Sequence, residues 1–62
     1  MSKLVKVEAV AEVLNVSVQR AYELIRRNMI PGVVRLGRQV RVDLEELEEW
    51  VKRGGKAPLD EK

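Results

Sequence analysis

The chain contains no cysteine and no histidine, and its only aromatic residues are one tryptophan and one tyrosine. Without cysteine and histidine, disulfides and the usual zinc sites are excluded, as are most nucleophile–base pairs. The sequence also has no glycine-rich phosphate loop and no cluster of metal ligands. We therefore predict a protein that is not an enzyme and has no cofactor, metal or small-molecule substrate.

Long apolar runs are also missing, and the chain is short. Its 62 residues allow one domain at most, and such a domain buries only about 60% of its unfolded surface. The N-terminal segment MSKLVKVEAV has no apolar run long enough for a signal peptide or a membrane span. We expect a cytoplasmic protein that does not bind membranes.

The charges are unevenly distributed, although the net charge is only +2. Residues 17–42 contain six arginines and a single acid, Glu23, which leaves a local charge of +5. Residues 43–49, DLEELEE, contain five acids and no basic residue. One part of the molecule is therefore suited to an anionic partner and the other is not.

Two helices joined by a tight turn are predicted near the N-terminus. Apolar residues at i, i+3, i+4 and i+7 indicate a first helix over about Val7–Leu14, and we expect Leu4 and Val5 to pack beneath it. Asn15 can adopt the left-handed conformation that ends a helix, and Ser17 is a favourable N-cap. About three residues thus join this helix to a second one.

The second helix is predicted over about Val18–Asn28, because Pro31 and Gly32 prevent its continuation. A third is predicted over DLEELEEWVKR, residues 43–53, beginning at a capping-box pattern of Asp43 and Glu46. Its expected buried face consists of Leu44, Leu47 and Val51, with Trp50 beside them. Residues 55–62 have no apolar period, so we predict a domain over residues 1–54 and a disordered tail.

A β-hairpin is predicted between the second and third helices, and its register follows from burial. A two-residue loop, Gly37-Arg38, would mix apolar and charged residues on each face. A three-residue loop over residues 37–39 would gather the apolar side chains on one face: Val34, Leu36, Val40 and Val42. Because burial determines register strongly, we predict the three-residue loop. Arg35 and Arg41 would then lie opposite each other, repelling unless an anion binds between them.

The order helix, turn, helix, hairpin, helix describes a winged helix-turn-helix, mainly α with a small β-hairpin. From about Leu4 to Lys52, the chain resembles the small winged helix-turn-helix domains of the excisionase type, which are related to the DNA-binding domain of MerR-type regulators. The motifs VAEVLNVS, AYELIRR and RLGRQVRV leading into DLEELEEW carry this resemblance. The chain departs from the family at Asn15, where glycine is usual, and at KVEAV, which lacks the frequent Ser or Thr cap.

The resemblance implies sequence-selective binding of double-stranded DNA, with the second helix in the major groove and the hairpin on the adjacent backbone or minor groove. The implied contact residues of the second helix are Ser17, Val18, Gln19, Arg20, Tyr22, Glu23, Arg26 and Arg27. Those of the hairpin are Arg35, Arg38 and Arg41. The residue types agree with this role, since arginine pairs with guanine and glutamine with adenine. Arginine also favours a narrow minor groove.

Several of the charged and aromatic residues can also be explained by a purely structural role. Tyr22 can pack half-buried, and Glu23 can pair with a nearby arginine instead of reading cytosine. Arg26 and Arg27 can be solvated, and Trp50 is expected in the core. The acids at residues 45–49 can form a solvated face, bind a partner, or pair with Arg35 and Arg41 at a gain of only about 0–1 kcal/mol.

Several functions agree with these features. The first is an excisionase, or recombination directionality factor, that works with an integrase or recombinase and self-associates on DNA. A small transcriptional regulator of phage or mobile-element origin agrees almost as well. The alternatives are a protein–protein interaction module on a winged-helix scaffold, with the acidic helix as its working surface, and the DNA-recognition subunit of a phage packaging machine.

Overall fold

The structure, a computed structural model, describes residues 3–55. Its elements are β1 (Leu4–Val5), α1 (Val7–Leu14), α2 (Val18–Arg26), β2 (Val33–Leu36), β3 (Gln39–Asp43) and α3 (Leu44–Lys52). The winged helix-turn-helix is confirmed, and its hairpin belongs to a three-stranded antiparallel sheet of order β1-β3-β2. The tail predicted at residues 55–62 lies outside the described residues apart from Gly55 and stays a prediction. Among residues 3–55, no helix has the length and apolar character needed to cross a bilayer.

The turn between α1 and α2 forms as its residues predict. Asn15 ends α1 in the left-handed conformation, with φ 58°. The Ser17 hydroxyl then accepts a hydrogen bond of 3.1 Å from the backbone N–H of Arg20 and caps α2. The second helix ends at Arg26, two residues earlier than predicted. Asn28 takes a left-handed conformation (φ 57°), which is incompatible with a continuing helix.

The core lies where α1 and α2 meet the sheet and α3. Its buried residues are Val7, Val10, Ala11, Ala21, Ile25, Ile30, Val42 and Leu47. Trp50 is partly buried against this cluster, as expected. The predicted inward position of Val51 is wrong, because its side chain is 41% exposed whereas Leu47, one turn earlier, is fully buried. In the last turn of α3, Trp50 thus contacts the core and Val51 does not.

The strand β1 is absent from the sequence-based prediction. Leu4 lies opposite Asp43, and Val5 lies opposite Val42. Successive side chains of a strand point to opposite faces, so only one of the two β1 residues can face inward. Val5 packs against the core, but Leu4 is 43% exposed, and its predicted position beneath α1 is wrong.

The predicted hairpin register is also wrong. Leu36 pairs with Gln39, so the loop has two residues, Gly37 and Arg38. Gly37 has φ 64°, the positive value that a type II′ turn requires at its first central residue. The turn geometry therefore determines the register. The hairpin tip extends past the core, so burial does not constrain Leu36, whose side chain is 49% exposed.

The inward face of the hairpin carries Val33, Val40 and Val42, which contact or belong to the core. Arg35 lies opposite Val40, whereas Arg41 lies opposite Val34. Because side chains alternate along a strand, the two arginines extend from opposite faces of the sheet. They are not cross-strand neighbours, so the predicted repulsion that an anion would relieve does not arise.

Gly32 lies between α2 and β2 and is hydrogen-bonded to the residue that precedes α3. Its carbonyl oxygen accepts a hydrogen bond of 2.8 Å from the backbone N–H of Asp43. The Asp43 carboxylate in turn accepts one of 3.1 Å from the N–H of Glu46 and caps α3. The predicted cap of α3 by the Asp43 carboxylate is therefore confirmed.

Candidate nucleic-acid interface

The exposed face of α2 carries most of the polar residues that the sequence singled out. Ala21 and Ile25 turn into the core. Glu23 is two residues from each of them, so it lies about 200° around the helix from both, at the centre of the outer face. An open hollow on this face is lined by Ser17, Gln19, Arg20, Glu23 and Arg26. The structure thus brings these five candidates together.

Glu23 pairs with two arginines on this face. The Arg20 Nη1 atom donates a hydrogen bond of 2.9 Å to Glu23 Oε1, and Arg27 Nη2 lies 3.5 Å from Glu23 Oε2. The hydrogen bond from Arg20, supported by the charges of Arg20, Arg27 and Arg26, lowers the pKa of the Glu23 carboxyl. Of the two interpretations of Glu23, the structure shows the ion-paired one.

A second group of candidates meets between α2 and the hairpin. Tyr22 is 48% exposed and borders an open groove together with Arg38 and Arg41. The other lining residues are Lys6, Val7, Glu8, Gln39 and Val40. The groove has three basic side chains and one acidic side chain, so its charge favours an anion.

Three polar residues of this groove, Lys6, Glu8 and Gln39, are absent from the predicted contact residues. Lys6 directly follows β1, and Val5 pairs with Val42, which brings the start of α1 beside the hairpin. A strand of two residues has no detectable alternation, so no sequence signal points to Lys6. Gln39 was expected in the loop, but it begins β3.

Arg41 is held against its own strand. Its Nη1 atom donates a hydrogen bond of 2.9 Å to the carbonyl of Val40, and its Nη2 atom donates one of 3.2 Å to Gln39 Oε1. Arg38 lies exposed in the two-residue loop. Arg35 is exposed and does not line the groove. Two of the three hairpin arginines are thus brought to the same site.

Val18 stands at the start of α2 and is 38% exposed, outside both groups of lining residues. The acidic residues occupy a separate surface of α3, where Glu45, Glu46 and Glu49 lie together. Among residues 3–55, no glutamate of α3 is within ion-pairing distance of Arg35 or Arg41, and Glu49 pairs instead with Arg53 at 3.5 Å. The two charged regions of the sequence therefore remain apart in the fold.

The comparisons with known proteins bear on this surface. A family model described as a helix-turn-helix domain matches residues 4–55, a segment that contains all three helices and the sheet. The family consists of small DNA-binding domains that are typically non-enzymatic. No curated protein and no solved structure gives a significant match to the chain.

Proposed function

Because the chain belongs to the helix-turn-helix domain family, we propose that it binds double-stranded DNA and selects particular sequences. In this proposal α2 enters the major groove, and the hairpin contacts the adjacent backbone or minor groove. Gln19 and Arg20 read base edges, since glutamine pairs with adenine and arginine with guanine. Arg26, Arg27, Arg38 and Arg41 contact phosphates or the minor-groove edge.

One observation carries this proposal. The polar face of α2 and the basic groove are adjacent, because Tyr22 belongs to α2 and also lines the groove. The α3 glutamates lie on a separate surface. A duplex carries its negative charge along two backbones that flank the major groove. A helix with polar side chains and neighbouring cations on the hairpin is complementary to that arrangement.

The direct test is binding of the purified chain to short duplex DNA across a salt series. We expect log K to fall linearly with log salt, by about 0.9 for each phosphate contacted. Arg26→Gln should make the salt slope smaller by about 0.9, the value for one phosphate contact. Lys52→Gln, which removes the same charge from α3, is the matched control and should not change it. Binding that is undetectable at low salt, or independent of salt, would refute the proposal and direct attention to the α3 surface as a protein-binding site.

We propose further that the protein acts as an excisionase, directing an integrase or recombinase, or as a small transcriptional regulator of a phage or mobile element. The resemblance of VAEVLNVS, AYELIRR and RLGRQVRV to the excisionase type supports both roles. A single module has little contact area, so several copies are proposed to bind adjacent sites. Selection of bound sequences from random duplex DNA tests this, because adjacent copies would recover repeated half-sites at a constant spacing, whereas an isolated half-site would contradict it.

A further inference from the structure

We propose that Glu23 is a positioning residue that determines specificity: it holds Arg20 for contact with one base pair and weakens binding to all other DNA. This inference rests on the proposed DNA binding by α2. It assigns to the only acid of the helix a role distinct from reading a base. Glu23 would not touch the DNA bases itself but would act through Arg20.

Glu23 lies at the centre of the outer face of α2, about 200° from the buried residues Ala21 and Ile25. A carboxylate at this point repels the phosphates of any duplex that α2 approaches, whatever its sequence. If it served only to bind DNA more tightly, a neutral residue would be better there. Glu23 therefore contributes to the selectivity of DNA binding and not to its strength.

The contact with Arg20 supplies that contribution. The Arg20 side chain is 51% exposed, and an arginine so exposed can adopt many rotamers and approach a phosphate of any sequence. The hydrogen bond of 2.9 Å from Nη1 to Glu23 Oε1 restricts the planar guanidinium. It engages Nη1 and leaves Nε and Nη2, which together can bond bidentately, available to a base edge. Ser17 also fixes the backbone beneath it through the 3.1 Å bond to the Arg20 N–H.

The second carboxylate oxygen acts on Arg27. Arg27 Nη2 lies 3.5 Å from Glu23 Oε2, a longer contact on a side chain that is 64% exposed. Glu23 thus keeps two cations near the centre of α2 and away from the flanking phosphates. Both effects reduce sequence-independent attraction, which is the main source of non-specific binding.

These contacts predict opposite effects on two measurable quantities when Glu23 is neutralised. With Glu23→Gln, affinity for random duplex DNA should rise, and the ratio of affinities for the selected and random sequences should fall about tenfold, as expected when a bidentate base contact is lost. The salt slope should become steeper by up to about 0.9 for each arginine that is released to a phosphate. A substitution that merely weakened the fold would not steepen the slope.

Two further variants separate positioning from charge. Glu23→Asp keeps the negative charge but shortens the side chain by one methylene, so it should lose discrimination without gaining affinity for random DNA. Glu48→Gln removes the same charge as Glu23→Gln from an exposed site on α3 and should leave both the ratio and the slope unchanged. Circular dichroism of each variant verifies that its helices are intact.

The experiment begins with the sequences that the wild-type chain selects from random duplexes. If the wild type binds no duplex, the proposed function and this inference both fail. If it selects a site but Glu23→Gln keeps the wild-type ratio and slope, the inference alone is overturned. A wild-type ratio for Glu23→Asp would also overturn it. In an Arg20→Ala background, we expect Glu23→Gln to have no remaining effect on the ratio, and a persisting effect would show that Glu23 acts other than through Arg20.

Discussion

Arg35 lies directly opposite Val40 across the β2–β3 ladder, and the neighbouring pair along the ladder joins Val34 to Arg41. Since opposite residues share a face and successive residues alternate, the two arginines extend from different faces of the sheet. Arg41 lines the groove beside Tyr22, and Arg35 does not. The hairpin therefore presents its charge in two directions.

This arrangement predicts that Arg35 and Arg41 contribute independently to stability. In a double-mutant cycle of Arg35→Ala and Arg41→Ala, the coupling energy should be within about 0.5 kcal/mol of zero, as for side chains that share no contact. The measurement is chemical denaturation of the wild type, both single variants and the double variant. A larger coupling energy, with the sign expected when a repulsion between like charges is removed, would show that the two guanidinium groups are neighbours.

The hairpin tip and α2 should affect DNA binding in different ways. Arg38→Ala removes a cation from an exposed loop, so we expect weaker binding to all duplexes alike and a salt slope smaller by about 0.9. Gln19→Ala should instead reduce the preference at particular base positions and leave the slope nearly unchanged. Titrations against the selected and random duplexes test both. If Arg38→Ala altered the preferred sequence and Gln19→Ala did not, the two roles would be reversed.

Gly32 should tolerate substitution less well than Gly37. Both have a positive φ, 78° and 64°. A Cβ on Gly32 would lie 3.0 Å from the Cβ of Asp43, whereas one on Gly37 would have no atom within 4 Å. We expect Gly32→Ala to cost roughly 2–4 kcal/mol, from backbone strain and overpacking together, and Gly37→Ala about 1–2 kcal/mol, from strain alone. Thermal denaturation of the two variants gives the comparison, and equal losses would contradict it.

Within α3, Leu47 and Val51 should differ strongly, although both fall on the predicted apolar stripe. Leu47 is fully buried, and Val51 is 41% exposed. Leu47→Ala leaves a cavity and should cost about 2–5 kcal/mol, a large part of the roughly 3–9 kcal/mol expected for a domain of this size. Val51→Ala should cost less than about 1 kcal/mol. Urea denaturation distinguishes them, and similar midpoints would show that α3 docks differently.

The pH dependence should reflect Glu23. Arg20 and its neighbours lower the pKa of the Glu23 carboxyl in the folded chain. Its contribution to stability is therefore fully present above the unfolded pKa of about 4.3 and is lost as the pH falls through the folded value. Because the chain has no histidine, no side chain has an ordinary pKa between about pH 5 and 8, and DNA binding should be flat across that range.

The measurement is thermal unfolding of the wild type, Glu23→Gln and Glu48→Gln from neutral to strongly acidic pH. The wild type and Glu48→Gln should lose stability together on the acid side, and Glu23→Gln should lose less there. A transition in DNA affinity near neutral pH, or an unchanged acid-side decline in Glu23→Gln, would contradict this account.

The parts of the fold that the sequence predicted depend on interactions between residues a few positions apart. Asn15 could be identified as the end of α1 and Ser17 as the cap of α2 because each acts on its own turn of backbone. The cap at Asp43 follows the same rule. The pairing of Glu23 with Arg20 is also local, at a spacing of three residues, and it was among the predicted alternatives.

Most of the sequence-based errors concern how strands pair and which side chains reach the core, although the end of α2 at Arg26 is a local one. The hairpin register was assigned from burial, but its tip extends beyond the core, and the conformation of Gly37 determines the pairing. The signature of a type II′ turn, a glycine at the first loop position, is present in the sequence and could have indicated it. No comparable signal exists for β1, because two residues are too few for a pattern.

The sequence by itself determined the helices, their caps and the separation of basic from acidic segments, since these follow from local backbone preferences and from the order of charges along the chain. Only the tertiary structure decided that Lys6, Arg38 and Arg41 line one groove while Arg35 lies outside it. Those positions depend on the docking of β1 onto β3 and on the hairpin register. The docking of β1 is a contact between distant segments, and the hairpin register is set by the conformation of a single turn.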